Sequence, residues 1–294
     1  AIRCHPYVLK EIHAANDSDA ARAALEFDQT LMGHAAFSVG NSLRSLLHGL
    51  TGASLASAPG NAAAETQHYY RQLSRFSAAF ALVADISMLA LGGALKRKEK
   101  LSARLGDMLS LLYLCSATLK RFEDDGRPAA DLPLLHWSIQ DALYHLQQAF
   151  DGVLDNFPSR IAAWTLRVLV FPLGKPYSPP ADDLGHKVAA LLLEPGEARD
   201  RLTAGIYVPA SAGEPLGVLE QALQCAVVCE VAEAKVRTAV KAGLISAQGD
   251  EKIAESLQRG IITAVEAESL EQMKSLRRRV IMVDDFPADF VKQK

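Results

Sequence analysis

Gly92-Gly93-Ala94-Leu95-Lys96-Arg97-Lys98-Glu99-Lys100-Leu101-Ser102-Ala103-Arg104-Leu105-Gly106-Asp107 lies between two long segments whose apolar residues recur at helical spacing. Paired glycines end the first segment, because glycine tolerates the left-handed conformation that closes a helix. The cations after them read as a turn, and apolar periodicity resumes at Leu101. A short polar turn between two long apolar helices makes them antiparallel neighbours, the pattern of a helical bundle.

On the N-terminal side of the turn, Tyr69, Tyr70, Leu73, Phe76, Phe80, Val83 and Ile86 mark a broadly buried helix over 64–91. An earlier helix is predicted over 20–47. Leu25, Leu31, Met32, Phe37, Val39, Leu43, Leu46 and Leu47 form its expected core face, with Asp19 as N-cap. On the other side, helices are predicted over 98–123, stopped by Gly126-Arg127-Pro128, and over 133–156, with Pro133 in the first turn. Alternating β-branched runs joined by Asn-Gly or Asp-Gly are missing, so helix dominates. The fold class is all-α: an antiparallel four-helix bundle followed by a smaller helical subdomain. Residues 173–181 hold three prolines and a glycine, which sets the expected division into 1–172 and 173–294. Further helices are predicted over 159–171, 182–193, 197–203, 216–242, 250–258 and 263–279.

At 294 residues, with 49% apolar and 22% charged residues, the chain can bury a sizeable core. A net charge of −3 gives no bulk attraction to nucleic acid. Cys4, Cys115, Cys225 and Cys229 are too few and too scattered for a disulfide scaffold. Arg3, His5, Lys10 and Glu11 break up any signal-peptide core, so a reducing cytoplasm is expected. No uninterrupted apolar run reaches 18 residues; the nearest, 76–91, contains Ser77, Asp85 and Ser87. The opening Ala1-Ile2-Arg3-Cys4-His5-Pro6-Tyr7 reads as a chain entered mid-fold, which favours a fragment.

Two places carry candidate site residues. In 159–171, Arg160 and Arg167 are seven apart, hence on one helix face, and Trp164 flanks them. Cations beside a tryptophan suit a helix lying in a membrane interface. The alternative is a packed helix whose arginines pair with Asp151 or Asp155. The second place is the turn itself. Lys96, Arg97, Lys98 and Lys100 concentrate positive potential that would meet acidic headgroups or a CoA phosphate; otherwise they make a solvated turn. Cys225 and Cys229 share a helix face, but with no histidine nearby they read as core rather than a zinc site. There is no His-Glu-x-x-His, Gly-x-Gly-x-x-Gly, P-loop or Gly-x-Ser-x-Gly. No catalytic and no metal residue is assigned.

Beyond the turn, Arg3-Cys4-His5-Pro6-Tyr7-Val8-Leu9, Tyr69-Tyr70-Arg71-Gln72-Leu73, Leu119-Lys120-Arg121-Phe122-Glu123-Asp124-Asp125-Gly126-Arg127-Pro128, Leu192-Leu193-Glu194-Pro195 and Val283-Asp284-Asp285-Phe286 together resemble the extended C-terminal region of bacterial long-chain fatty acyl-CoA dehydrogenases. The likeness covers nearly the whole chain. It implies an FAD flavoenzyme of fatty acid β-oxidation, in which a carboxylate base takes the α proton of a long-chain acyl-CoA while hydride leaves to FAD. In that family the base and most of the flavin fold lie upstream of this region. The resemblance therefore implies FAD in the full enzyme, none held by this stretch alone, and an N-terminal flavin-bearing catalytic portion as partner. A weaker likeness, in helix order and in Arg104-Leu105-Gly106-Asp107, links the first half to the C-terminal domain of very-long-chain acyl-CoA dehydrogenases, and it implies a structural or interface role with peripheral contact at the inner membrane. The competing class is a stand-alone helical scaffold or membrane adaptor without activity.

Overall fold

The structure is a computed structural model that describes residues 5–209, 213–246, 248–249 and 251–282. Its regular structure among these residues is helical, in agreement with the all-α reading. The helices are α1 (Val8–Ala15), α2 (Ala20–Leu50), α3 (Gln67–Leu91), α4 (Glu99–Asp124), α5 (Leu132–Asp155), α6 (Arg160–Val170), α7 (Asp182–Leu193), α8 (Glu197–Thr203), α9 (Pro215–Lys241), α10 (Glu251–Gln258) and α11 (Ala264–Ile281). Two compact units result, Ala1–Val188 and Ala189–Lys294.

The first unit is built on α3. Its neighbours are α2 on one side and α4 on the other; α5 packs on α4, and α6 closes across α2, α3 and α5. Phe76 and Phe150 are fully buried and stack with centroids 5.5 Å apart. Leu82, Val83, Met108, Leu119, Ile139 and Leu146 complete this core. The α3–α4 connection is a short 3-10 turn, Gly92–Lys96, entered through Gly92 at φ 48°, a conformation that suits glycine. Asp19 caps α2 as its sequence position predicts, accepting from the backbone N–H groups of Ala21 and Arg22.

Several expectations are corrected. On α2 the residues turned inward are Asn41, Ser45 and Gly49, whereas Leu25, Leu31, Met32, Val39, Leu43 and Leu47 are exposed. A reading of apolar periodicity selects the wrong face here, because the face against α3 and α6 is small and polar. Gly49 permits that approach: a Cβ there would lie 2.6 Å from Pro172 Cδ. Helix α1 is an addition to the helices that the sequence predicts. The proline-rich 173–181 stretch packs within the first unit. Tyr177 is the reason. Its backbone N–H donates to Gln147 Oε1 at 3.1 Å, its carbonyl accepts from Gln147 Nε2 at 2.9 Å, and its ring lies 5.2 Å from Phe76.

Arg75 is 3% exposed and has no carboxylate at hand. Its guanidinium instead donates to the Val170 carbonyl at 3.2 Å and the Tyr177 hydroxyl at 3.3 Å. Ser45 Oγ donates to the neighbouring Leu169 carbonyl at 3.0 Å. A helix C-terminus carries partial negative charge and orphan carbonyls, so the end of α6 serves as the counter-charge that a buried cation requires.

By length and composition, Gln67–Lys96 and Pro215–Lys241 are apolar enough to cross a membrane, which the count of uninterrupted apolar runs does not reveal. The first contains α3, a helix flanked by α2, α4 and α6 that buries Arg75 and Asp85; these are the marks of a core helix.

In the second unit α9 packs against α11, with α10 beside both. Cys229, Ala232, Ile262, Ala267 and Leu270 form its small core. Thr263 and Glu266 make a reciprocal capping box at the start of α11. Burial pushes the Cys229 thiol up to about 11, with Cys225 adding to the effect. In the first unit burial pushes the Cys115 thiol up to about 12. Thiols held protonated in this way are inert core residues.

Candidate functional site

The first unit carries four features that a ligand or partner could use. The basic turn is the simplest. Lys96, Arg97, Lys98 and Lys100 are all exposed, Lys100 within the first turn of α4. Nearby, α5 ends against the start of α4, since a Cβ on Gly152 would lie 2.7 Å from Arg104 Nε. Because α6 begins five residues after α5 ends, this topology brings Arg160 to the same end of the unit as the basic turn.

Helix α6 treats its candidate residues unequally. Arg160 is exposed and Trp164 is 68% exposed. Arg167 is committed to protein: it donates to Asp151 at 2.6 Å and to Asp155 at 2.7 Å. Lys175 adds a second cation on Asp151 at 2.9 Å. Burial alone would raise the Asp151 pKa, but the hydrogen bonds from Lys175 and Arg167 outweigh it and hold the carboxyl below its ordinary value. For Arg167 the geometry is thus the pairing arrangement. Ile161, Trp164 and Val168 make a separate outward row on the same helix, while Leu166 and Val170 face the core.

A trough of about 1270 Å³ forms the third feature. Its floor is α3, at Ser77 and Ala81; its walls are α2, at Asn41 and Arg44, and α4, at Leu109 and Tyr113. Asn41 is 2% exposed, and its Nδ2 has no partner, nor does Nδ1 of His48 on the same wall. Its Oδ1 accepts from Arg44 at 2.7 Å. The volume exceeds that of an ordinary small-molecule pocket and approaches that of a short helical segment, roughly 10 Å across.

The fourth feature joins α1, α2 and α3 and was missed by the sequence reading. His34 on α2 points Nδ1 at Glu11 of α1, 2.7 Å away, and Nε2 at Asp85 of α3, 2.8 Å away. Ser38 donates to the other Asp85 oxygen. His5, just before α1, receives the backbone N–H groups of Tyr7 and Val8 on its Nδ1 at 3.2 and 3.1 Å. Its Nε2 lies 3.6 Å from Asp85 Oδ1 and has no hydrogen-bond partner. One signal was available in the sequence. Asp85 interrupts the most apolar helix of the chain, and a carboxylate there needs a partner.

His5, His34 and Asp85 place one ligand-type atom each within 4.8 Å of one another. The tautomer argues against a metal. A His5 Nδ1 that accepts two N–H groups leaves the ring proton on Nε2, so Nε2 offers a cation no lone pair.

A flavin is equally poorly served. Pyrophosphate is held by free N–H groups at a glycine-rich helix start. After Gly92-Gly93, the N–H groups of Arg97, Lys98, Leu101 and Ser102 already donate within the turn and the start of α4. This turn does not make such a cradle, and no reaction step is assigned to this chain's residues.

No solved structure matches the chain. Residues 2–286 match the family described as "Acyl-CoA dehydrogenase, C-terminal, bacterial type". With nearly the whole length matched, the chain belongs to the bacterial-type C-terminal family of the acyl-CoA dehydrogenases.

Proposed function

We propose that this chain is the C-terminal helical region of an FAD-dependent long-chain acyl-CoA dehydrogenase of fatty acid β-oxidation, acting as its interface and membrane-contact part. The observation that carries the reading is the family match over residues 2–286, taken with the exposed apolar face of α2. Met32 is 70%, Val39 59% and Leu43 58% exposed. Contiguous apolar surface of this kind marks an interaction site. The flavin-bearing N-terminal portion of the same enzyme is its proposed cover. FAD, which would accept the hydride, and the carboxylate base, which would take the α proton, belong to that portion. The expected result is that the chain expressed alone purifies colourless and inactive. One flavin per chain, seen in the visible spectrum, would assign the chemistry to these residues instead.

The membrane role rests on the end of the first unit that bears the basic turn and the start of α6. Lys96, Arg97, Lys98, Lys100 and Arg160 are exposed there, with Ile161 80% and Trp164 68% exposed beside them. Each cation near an anionic leaflet contributes about 1 kcal/mol, and apolar side chains add roughly 25 cal/mol per Å² buried. The sum gives reversible attachment on the cytoplasmic face of the inner membrane. In flotation with anionic vesicles, Lys96→Glu/Arg97→Glu/Lys98→Glu and Arg160→Glu/Trp164→Ala are each expected to lose most binding. Arg167 stays unchanged, because its pairs with Asp151 and Asp155 hold α6 in place. Equal flotation of parent and variants would refute the membrane role and leave α6 as a packing helix.

A further inference from the structure

We propose that His34, wedged between Glu11 and Asp85, is a proton-operated latch that docks α1 onto α2 and α3. The geometry demands the charge. Ionised carboxylates only accept hydrogen bonds, and His34 presents one ring nitrogen to each, at 2.7 and 2.8 Å. Both contacts are hydrogen bonds only when both nitrogens carry protons. Neutral His34 must release either Glu11 or Asp85. Asp85 keeps Ser38 as a donor, whereas among the described residues Glu11 has His34 alone as a hydrogen-bond partner, so α1 is the element let go.

Among the described residues, the titratable side chains that meet the latch belong to one cluster. From α1 comes Glu11; from the segment ahead of it, His5 and Tyr7; from α3, Asp85. On α2 and α3 themselves, no other charged residue lies within a turn of His34 or Asp85. Lys10 and His13 are on the exposed side of α1. The Tyr7 ring stacks on His34 with centroids 5.6 Å apart, and His5 meets Phe37 edge-on at 5.9 Å. Phe37 also lines the trough. Release of α1 therefore takes the His5 and Tyr7 rings away from a residue of the trough wall, which links proton occupancy to that surface.

The sign follows from the two histidines. Burial lowers the His34 pKa, but its hydrogen bonds to Asp85 and Glu11 prevail and leave it raised. A raised value means docking is complete below the unfolded pKa and is lost as pH rises through the folded one. Burial is the main cause of a lowered pKa at His5, opposed by Asp85. Its contribution is complete above the unfolded value and fails as pH falls through the folded one. Docking of α1 is thus strongest in a window between the two and weakens on both sides.

Hydrogen exchange of the intact protein, corrected for intrinsic rates, reads this directly between about pH 5 and pH 9. Protection of amides over 8–15 is expected to fall severalfold on the alkaline side, while amides in the middle of α5 hold theirs. His34→Gln should leave 8–15 weakly protected at every pH, with the alkaline step gone. Should that variant misfold, Glu11→Gln retains the Asp85 contact and is expected to shrink the step; His13→Gln should leave it intact. Unchanged protection of 8–15 across the range overturns the latch. An alkaline step that survives His34→Gln or Glu11→Gln overturns it too. So does a nitrogen spectrum showing a neutral His34 ring at the pH of maximal protection.

Discussion

Phe76→Ala is expected to lower the stability of the first unit by about 3–5 kcal/mol. Phe76 is fully buried and touches three layers at once. It stacks on Phe150 of α5, lies 5.2 Å from the Tyr177 ring, and sits 5.4 Å from the Arg75 guanidinium. Removing it forfeits the transfer energy of the ring and leaves a void that these neighbours only partly fill. It also removes one of the two rings beside a buried cation, leaving Tyr177 at 5.8 Å. Chemical denaturation followed by circular dichroism checks the value. Phe150→Ala should cost a similar amount, and the double variant should show a coupling of about 0.5–1.5 kcal/mol from the ring pair. A loss under about 1 kcal/mol for Phe76→Ala, the size of an average substitution, would mean that this core is not the one that holds the unit.

Local rules of this kind were legible in the sequence wherever a residue acts alone. Asp19 caps α2 and Gly92 ends α3, because capping depends on a side chain and the few backbone groups beside it. What could not be read is where an answer depends on distant partners. The apolar stripe of α2 looked like a core face since periodicity reports which residues share a face, not which face finds a neighbour. Tyr177 sits in a stretch that composition marks as a linker, yet Gln147 and Phe76 fold it into the bundle. Arg167 could satisfy a lipid phosphate or a carboxylate equally well in sequence; its pairs with Asp151 and Asp155, one turn apart on α5, form only once α5 and α6 are packed. The His34 latch needs three helices before any part of it has meaning.

The α2 face leads to the second large effect. Leu25, Met32 and Val39 recur every seven residues, as do Ala36, Leu43 and Leu50. Together they trace the a and d positions of a helix-pairing seam, and all six are exposed. In the chain expressed alone, Met32→Glu/Val39→Glu/Leu43→Glu is expected to keep its helical content, because exposed substitutions usually cost less than about 0.5 kcal/mol each. Self-association driven by the uncovered seam should disappear, which sedimentation measures. In the intact dehydrogenase the outcome should reverse in severity. Three carboxylates forced into a packed seam without partners each carry a desolvation penalty of several kcal/mol, and every 1.4 kcal/mol is a tenfold loss of association. The yield of soluble, flavin-loaded enzyme should therefore fall by well over about tenfold. If the triple variant assembles and turns over like the parent, the seam faces solvent in the enzyme, and the proposed cover by the flavin-bearing portion is wrong.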